Sequence, residues 1–250
     1  MKLRADQLLV ERGLAESRAK AQALILAGLV FTGERKVEKA GQPLAQDVAL
    51  EVRGKEHPWV SRGGIKLAHA LDAFKWGVEG AVALDVGSST GGFTDVLLRR
   101  GAAKVFAVDV GTNQLAWQLR QDPRVVVLEQ TNARYLTAEK VTDPVDIIVC
   151  DASFIGLAKV LDAALGFARP AARLVALVKP QFEAERHEIG KGGVVRDPAV
   201  HERVCASAAD WVRSRGWEVA GLETSPITGP EGNVEFLLAA IRLDMPPVPD

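Results

Sequence analysis

The feature that most constrains this chain is an alternation of apolar runs and amphipathic segments from residue 81 onwards. Runs rich in Val, Ile, Leu and Ala predict strands at 81–86, 104–108, 125–128, 145–150, 173–178, 218–222 and 235–241. Apolar residues at helical spacing predict helices at about 66–74, 93–100, 112–120, 157–167 and 198–215. Since parallel strands are joined by crossover helices, this order predicts an α/β fold, a parallel sheet with helices on both faces.

A smaller α+β unit is predicted before this alternation. Apolar residues at helical spacing favour a helix over 5–12 that Gly13 ends, and Ser17 can cap a second helix that ends at Gly28. Short strands are predicted at 30–32, around 37 and at 48–52. Ten basic against eight acidic residues over 1–56 make this unit mildly basic.

The segment between the two units has the composition of an interdomain connection. Its sequence, GKEHPWVSRGG from Gly54 to Gly64, combines Gly, Pro and charged residues. We therefore expect a first domain over 1–56, a linker over 57–64, a second domain over 65–244 and a Pro-rich disordered tail over 245–250.

Composition narrows the function classes. The 250 residues carry a formal net charge of −1, which excludes a polybasic protein that holds nucleic acid by bulk charge and leaves room only for a local basic surface. Two cysteines give no disulfide framework, and four histidines show no paired spacing with cysteine that predicts zinc. The histidine and cysteine spacing leads us to expect no metal. No signal peptide and no long apolar run is visible, so we expect a cytoplasmic protein with no membrane segment.

A glycine-rich turn, DVGSSTGGFTD from Asp85 to Asp95, follows the first strand of the predicted sheet. Gly87, Gly91 and Gly92 allow the backbone to turn sharply and approach a ligand at a helix N-terminus, where doubly wound sheets bind ligands. The spacing G-x-x-x-G-G differs from the dinucleotide fingerprint, which disfavours a pyrophosphate cradle and hydride transfer. A nucleoside with an amino-acid tail fits this turn better.

Polar residues at the ends of the next two strands extend the predicted ligand site. Asp109 ends the strand VFAVD, where a carboxylate can accept hydrogen bonds from both hydroxyls of a ribose. Asn132 follows the third strand, where it can read the edge of an adenine. The alternative is a packing turn followed by an exposed aspartate and an ordinary turn residue.

Four ionisable residues lie at the ends of predicted elements: Lys66, Asp151, Lys179 and Glu235. Asp151 and Lys179 each close an apolar strand at the carboxyl edge of the sheet, beside the expected ligand. Lys179 taken alone could simply extend to solvent from a buried strand. The convergence of all four residues favours a catalytic group.

These motifs resemble a known family. DVGSSTGGFTD is similar to the cofactor loop of the FtsJ-type ribose 2′-O-methyltransferases, and Lys66, Asp151, Lys179 and Glu235 match the K-D-K-E tetrad of that group. The remaining segments resemble the TlyA family over nearly the whole chain: RADQLLVERGLAESRAKAQALILAGLV, VSRGGIKL, DASFI, LVKPQFE, GKGGVVRD and SPITGPEGNVEFL. One departure is the pair His57 and Pro58 before WVSRGG, which leaves the role of Trp59 in the linker open.

The resemblance implies a Rossmann-type methyltransferase domain joined to an S4-like RNA-binding domain. It implies the activity of the TlyA family, which transfers a methyl group from S-adenosylmethionine to cytidine 2′-hydroxyls of ribosomal RNA. The residues implied for the cofactor are Asp85, Gly87, Ser88, Gly91, Gly92, Phe93, Asp109, Asn132 and Asp151.

The partner implied by the resemblance is ribosomal RNA within ribosomal subunits. An S4-like domain presents a small basic surface to RNA phosphates, here formed by Arg4, Arg18, Lys20 and Arg35. Each of these cations could instead solvate a helix face. The target nucleotide, the choice of subunit and the oligomeric state are left open by the sequence.

The chemistry asked of the tetrad is to position a ribose hydroxyl and assist its in-line attack on a methyl group. A neutral Lys179 could accept the hydroxyl proton, whereas a charged Lys179 would stabilise the developing alkoxide. Asp151 and Glu235 would orient the two lysines and balance their charge. No metal is required, because neither a phosphoryl group nor a bound water is activated.

Alternative readings remain for the whole chain and for single residues. The fold could serve a ribosome-assembly factor without activity, and the family has also been labelled haemolysin, although no membrane-active element is visible. Cys150 is expected in the strand core. Phe154 either stacks on the target base or packs in the core, and the loop over 183–197 is either a lid or a surface loop.

Overall fold

The N-terminal unit packs two short helices against two small sheets. The structure is a computed structural model and describes residues 2–53 and 57–243. The elements of this unit are β1 (Lys2–Arg4), α1 (Ala5–Glu11), α2 (Arg18–Leu26), β2 (Val30–Thr32), β3 (Arg35–Lys36), β4 (Pro43–Ala45) and β5 (Glu51–Val52). β1 pairs antiparallel with β4, and the strands β3-β2-β5 form an antiparallel sheet.

Both helices of this unit lie where the sequence predicted them. The Ser17 side chain accepts the amide hydrogen of Lys20 and caps α2. Leu8 and Leu9 of α1 and Ile25 of α2 are buried in one apolar core. The strand predicted over 48–52 is shorter, since only Glu51–Val52 pairs with β2.

The second unit alternates strands and helices as predicted. Its elements are α3 (Gly63–Ala73), β6 (Val82–Val86), α4 (Gly92–Arg99), β7 (Lys104–Val108), α5 (Trp117–Arg120), β8 (Val125–Leu128), β9 (Val145–Cys150), α6 (Leu157–Leu165), β10 (Ala168–Val178), α7 (Pro180–Glu183), α8 (Pro198–Ser214), β11 (Trp217–Thr224) and β12 (Phe236–Arg242). Single 3₁₀ turns lie at Ala133–Tyr135, Arg186–Glu188 and Lys191–Gly193.

One seven-stranded sheet in the order β11-β12-β10-β9-β6-β7-β8 carries this unit. β12 runs antiparallel to both of its neighbours, and the pairs from β10 to β8 are parallel. Buried clusters cover both faces of the sheet, so the predicted α/β architecture is confirmed. The chain order reverses between β6 and β9, which opens a crevice at their carboxyl ends where such sheets bind ligands.

Part of the segment predicted as a linker over 57–64 is ordered structure. α3 begins at Gly63, and the amide of Val60 donates to the buried carboxylate of Asp95 at 2.9 Å. The reason is close packing of α3 on α4, because a Cβ on Gly92 would lie 2.8 Å from the amide nitrogen of Gly64. The predicted tail over 245–250 lies outside the described residues.

The helix predicted over 112–120 is reduced to Trp117–Arg120. Residues 110–116 instead form an irregular loop, in which Asn113 adopts a left-handed backbone with φ of 54°. None of the helices in the described ranges is both long enough and apolar enough to cross a membrane.

Candidate active site

The glycine turn after β6 is shaped by its close approach to the neighbouring strand end. Gly87 has a φ of 80°, and a Cβ there would lie 2.9 Å from backbone atoms of Ala152, just beyond β9. Gly91 has a φ of 94° and directly precedes α4. Both positions therefore require glycine, and the turn leaves open space in front of the α4 N-terminus.

A cavity of about 830 Å³ lies between this turn and the ends of β7, β8 and β9. Gly87, Asp109, Asn132 and Asp151 all line it. The Asp109 carboxylate accepts the amide hydrogens of Ser89 at 2.8 Å and Gly111 at 2.7 Å, which fixes its orientation. The structure thus gathers the predicted nucleoside-binding residues from four separate segments around one cavity.

Asn132 has a local structural role as well as a place at the cavity. Its Oδ1 accepts the amide hydrogen of Arg134 at 3.1 Å and so caps the short turn Ala133–Tyr135. Its amide nitrogen is not committed by this contact, so the side chain can cap the turn and still present a donor to a ligand.

The predicted tetrad converges on one buried cluster. Lys66 Nζ lies 2.5 Å from Glu235 Oε2 and 3.6 Å from Asp151 Oδ2. Lys179 Nζ lies 2.6 Å from Asp151 Oδ1. Asp151 therefore stands between the two lysines, and four residues spread over 170 positions of the chain meet within ion-pair distance.

The burial of this cluster separates it from ordinary surface ion pairs. Lys66, Lys179 and Glu235 are 5%, 7% and 1% exposed. Two ammonium and two carboxylate groups balance in charge, which offsets the cost of taking them out of water. Lys179 does not extend to solvent, since its Nζ also donates to Ser153 Oγ at 2.9 Å.

A second cavity, of about 710 Å³, opens in front of the tetrad, and we name it the catalytic cavity after the predicted role of those residues. It shares Gly87, Asp151 and Phe154 with the first cavity, so the two spaces meet at Asp151. One can hold a nucleoside beside the glycine turn while the other receives an acceptor group against the lysines.

Asp85 lies beneath the glycine turn as a fully buried carboxyl group. Its burial, together with the nearby carboxylate of Asp151, raises the pKa of Asp85 to about 7, although the hydroxyl of Thr94, which donates to it at 2.6 Å, has the opposite effect. Among residues 2–53 and 57–243 its Oδ1 has no hydrogen-bond partner. That oxygen can accept a hydrogen bond from a bound ligand or an ordered water.

Three further residues predicted for the cofactor line the cavity in front of the tetrad, whereas Gly91 lines neither cavity and packs against Leu115 and Leu119. Ser88, Gly92 and Phe93 all border the catalytic cavity, and Ser88 and Phe93 are buried. Cys150 is buried in the strand core as expected, and burial raises its pKa to about 12, so its thiol stays protonated and inert.

Phe154 does not pack in the core. Its side chain is 90% exposed and its backbone has a φ of 65°, in the left-handed region that a phenylalanine rarely adopts. Its ring lies 5.3 Å from the ring of Phe182, and both rings border the two cavities. The core alternative is therefore wrong, and an aromatic platform stands at the mouth of the site.

The loop over 183–197 forms a wall of the catalytic cavity and is fastened to the domain. Asn233, fully buried, accepts the amide hydrogen of Val195 and donates to the carbonyl of Gly193, both at 3.0 Å. Gly193 lines the cavity. Sequence reasoning missed Asn233, Ser153 and Phe182, whose only signal is their closeness in sequence to Glu235, Asp151 and Lys179.

Two of the four cations predicted for RNA binding have an internal partner. Arg4 and Arg18 both pair with Asp6, at 3.0 and 3.3 Å, and their side chains remain 49% and 56% exposed. The hydrogen bond from Arg4, with those from Gln22 and Arg18, lowers the pKa of Asp6 despite its burial. Lys20 and Arg35 are exposed.

No metal site emerges from the part of the chain that the structure describes. Within those residues, no group of three or more His, Cys, Asp or Glu side chains is arranged to hold an ion. The site is therefore built from glycine turns, two lysines and carboxylates.

Comparison with known proteins agrees with this site. Residues 59–242 match the FtsJ-like methyltransferase family and residues 3–47 match the S4 domain. The chain belongs to the FtsJ-like methyltransferase family. Its resemblance to the TlyA proteins is confirmed by the 16S/23S rRNA (cytidine-2′-O)-methyltransferase TlyA of Mycobacterium tuberculosis, 51% identical over 94% of this chain and 88% of that protein.

Three other proteins match between 70% and 98% of this chain. Hemolysin A of Brachyspira hyodysenteriae is 41% identical over 94% of this chain and 98% of its own. A solved structure from Streptococcus thermophilus is 42% identical, covers 98% of this chain and 90% of its own, and superposes with a TM-score of 0.75. An S-adenosylmethionine-dependent methyltransferase from Mesorhizobium loti, 17% identical with a TM-score of 0.50, covers 70% of this chain and 96% of its own and shares the fold.

Proposed function

We propose that this protein transfers a methyl group from S-adenosylmethionine to the 2′-hydroxyl of a cytidine in ribosomal RNA. The observation that carries the proposal is the buried Lys66–Asp151–Lys179–Glu235 cluster, which stands where the two cavities meet. Paired lysines beside a nucleoside pocket suit a reaction that develops negative charge on an oxygen. The TlyA relative, which matches 94% of this chain, carries this activity in its name.

The described residues fit S-adenosylmethionine in the cavity beside the glycine turn. Asp109 is oriented by two amides toward a space that a ribose can fill, and the absence of a side chain at Gly87 lets the turn lie directly against the backbone of Ala152 at the wall of this cavity. The orphaned Oδ1 of buried Asp85 provides an acceptor below the turn. When bound, the sulfonium supplies an electrophilic methyl group and a good leaving group.

The tetrad positions and activates the acceptor hydroxyl. Lys179 is held by Asp151 and by Ser153 Oγ, so its Nζ is fixed at the cavity wall. In its ion-paired, charged form it stabilises the negative charge that develops on the 2′-oxygen as the oxygen–carbon bond forms, and the hydroxyl proton passes to the carboxylate of Asp151, which lines both cavities. Glu235 holds Lys66 beside Asp151, and the fixed positions avoid the cost of reorganising charges during the reaction.

Phe154 provides a stacking surface for the target nucleotide. A cytidine must leave its helical stack for its ribose to reach a buried lysine, and an exposed aromatic ring beside the cavity offsets that cost by stacking. The ring of Phe182 packs against that of Phe154, with 5.3 Å between the ring centroids. The strained backbone of Phe154 is consistent with a functional placement, because packing alone gives no reason to expose it.

The S4 domain holds the RNA beside this site. Its Glu16 lines the catalytic cavity and accepts the amide hydrogen of Arg62 at 3.2 Å, so the RNA-binding domain adjoins the active site. We assign phosphate contacts to Lys20 and Arg35 and to the exposed faces of Arg4 and Arg18. The domains that we assign are 1–56 for RNA binding and 65–244 for catalysis, and the start of α3 at Gly63 packs on the second of these.

Methylation of isolated ribosomal subunits with labelled S-adenosylmethionine tests the activity. The expected product is 2′-O-methylcytidine in ribosomal RNA, identified after complete nuclease digestion. Labelled RNA in which every methyl group lies on a base would contradict the proposal, and so would cofactor binding without RNA methylation on either subunit.

Neutralising basic residues of the S4 domain tests whether they contact RNA phosphates. Because Arg4 and Arg18 also satisfy buried Asp6, the cleaner variant is Lys20→Gln with Arg35→Gln. We expect the slope of log affinity against log salt to fall by about one to two, as for the loss of one or two phosphate contacts. The control is Lys75→Gln, which removes an exposed charge from the methyltransferase domain. Equal salt slopes for the control and for the double variant would contradict the assignment.

A further inference from the structure

The loop over 110–116 forms one wall of the cavity beside the glycine turn, in which we place the nucleoside. Val110 and Gln114 line that cavity beside Asp109. The Gly111 amide donates to Asp109 Oδ1 at 2.7 Å, and the Gln114 side chain covers Gly111. The position of this loop therefore sets the position of the carboxylate that receives the ribose.

Among the residues that the structure describes, main-chain hydrogen bonds hold only the two ends of this loop: the Gly111 carbonyl accepts the amide hydrogen of Gln130 at 3.0 Å, and the Ala116 amide donates to the Thr90 carbonyl at 3.1 Å. The helix begins only at Trp117, and the backbone amides of Asn113, Gln114 and Leu115 point away from any helical or strand partner. Backbone amides left without an acceptor are costly, so an acceptor from elsewhere must serve them.

Glu129 supplies that acceptor. Its Oε2 accepts the amide hydrogen of Asn113 at 2.8 Å, and its Oε1 accepts those of Gln114 at 3.0 Å and Leu115 at 3.3 Å. Arg120 Nη2 also donates to Oε1 at 2.6 Å. One carboxylate thus joins the end of β8 to the loop and to α5.

The carboxylate is ionised at any working pH. Burial alone would raise the pKa of Glu129, but the hydrogen bonds from Arg120 and from the three loop amides outweigh it and bring the pKa down to about 2. The side chain is 12% exposed, so water competes little for these contacts.

We propose that Glu129 is a positioning residue for the cofactor, which fixes the loop over 110–116 and thereby orients Asp109 toward the ribose. The inference rests on the proposed binding of S-adenosylmethionine in this cavity. Glu129 does not line the cavity and acts through the loop. Its loss should weaken binding of the nucleoside half of the ligand and leave the methyl-transfer groups in place.

The test is calorimetric titration of the full chain with S-adenosylmethionine and with S-adenosylhomocysteine. In Glu129→Gln an NH₂ group replaces one of the two carboxylate oxygens, and it cannot accept a hydrogen bond from a backbone amide. We therefore expect both ligands to bind about tenfold more weakly with unchanged stoichiometry, as for the loss of a charge-assisted hydrogen bond. A merely structural role would lower the fraction of protein that binds and leave the dissociation constant unchanged.

Asp146→Asn is the matched control. Asp146 also accepts a backbone amide, from Val82 at 2.8 Å, and pairs with Arg169 at 2.9 Å, but it lies at the amino end of β9, whereas the cavity lies at the carboxyl ends of the strands. Its ligand affinities should equal those of the wild type. Equal affinities of wild type and Glu129→Gln for both ligands would overturn the inference.

Arg120→Gln tests the positioning role of Glu129 if Glu129→Gln fails to fold. It leaves the three amide contacts in place and removes only the ion pair, so a two- to threefold weaker affinity is expected, and an unchanged one overturns the inference. Absence of wild-type cofactor binding would instead contradict the proposed function. Wild-type binding without RNA methylation would contradict the proposed reaction and leave the role of Glu129 testable.

Discussion

The buried pair of Lys66 and Glu235 makes a sharp prediction about stability. Glu235→Gln keeps the shape of the side chain and removes a charge that is 1% exposed and 2.5 Å from Lys66 Nζ. Breaking a buried pair on one side costs about 3–5 kcal/mol. Asp151, 3.6 Å from Lys66, retains part of the compensation, so we expect a loss of about 2–4 kcal/mol, or on the order of 5–15 °C in Tm.

Urea unfolding of three variants measures this loss. The exposed Glu218→Gln on the neighbouring strand should change stability by less than about 0.5 kcal/mol. Lys66→Met combined with Glu235→Leu removes both charges and should recover most of the stability, because apolar replacement of a buried pair is close to neutral. If Glu235→Gln is as stable as the wild type, the ion pair is not formed in the folded protein and the reasoning about the tetrad is wrong.

Three further predictions concern the cofactor, pH and RNA. Asp109→Ala should weaken S-adenosylmethionine binding by about 1–3 kcal/mol in calorimetry, and an unchanged affinity contradicts its contact with the ribose. Burial raises the pKa of Asp85 to about 7 in the folded protein. The unfolding free energy of the wild type, measured relative to Asp85→Asn, should therefore fall as pH rises from about 4 to about 7 and then level off. A difference between the two proteins that stays constant in urea unfolding across that range would contradict this. Phe154→Ala should raise the KM for RNA by the equivalent of about 1–3 kcal/mol without changing cofactor affinity, and an unchanged KM contradicts stacking.

Periodicity was sufficient for the strands of the large sheet and for two of the four tetrad residues, Asp151 and Lys179. The strand-end positions of Asp151 and Lys179 follow from apolar runs that end at a polar residue, and parallel pairing brings such ends to one edge. Lys66 and Glu235 come from α3 and the start of β12, and their approach to that edge followed only from the family resemblance. Neither could be placed by local pattern.

The features that sequence reasoning missed depend on contacts between distant segments. Apolar residues at helical spacing predicted a helix over 112–120, but the Glu129 carboxylate satisfies the amides of Asn113 and Gln114 in a non-helical arrangement. β1 and β4 are three-residue strands whose pairing across the N-terminal unit leaves no periodic signal. The exposure of Phe154 reflects a left-handed backbone that its flanking residues do not announce.

The most direct test of the central claim is single-turnover methylation of isolated ribosomal subunits by wild type and Lys179→Ala. The account predicts 2′-O-methylcytidine with the wild type and no detectable product with Lys179→Ala, while both proteins bind S-adenosylmethionine with similar affinity. A Lys179→Ala protein that methylates at near wild-type rates, or a wild-type product that carries its methyl group on a base, would contradict the account.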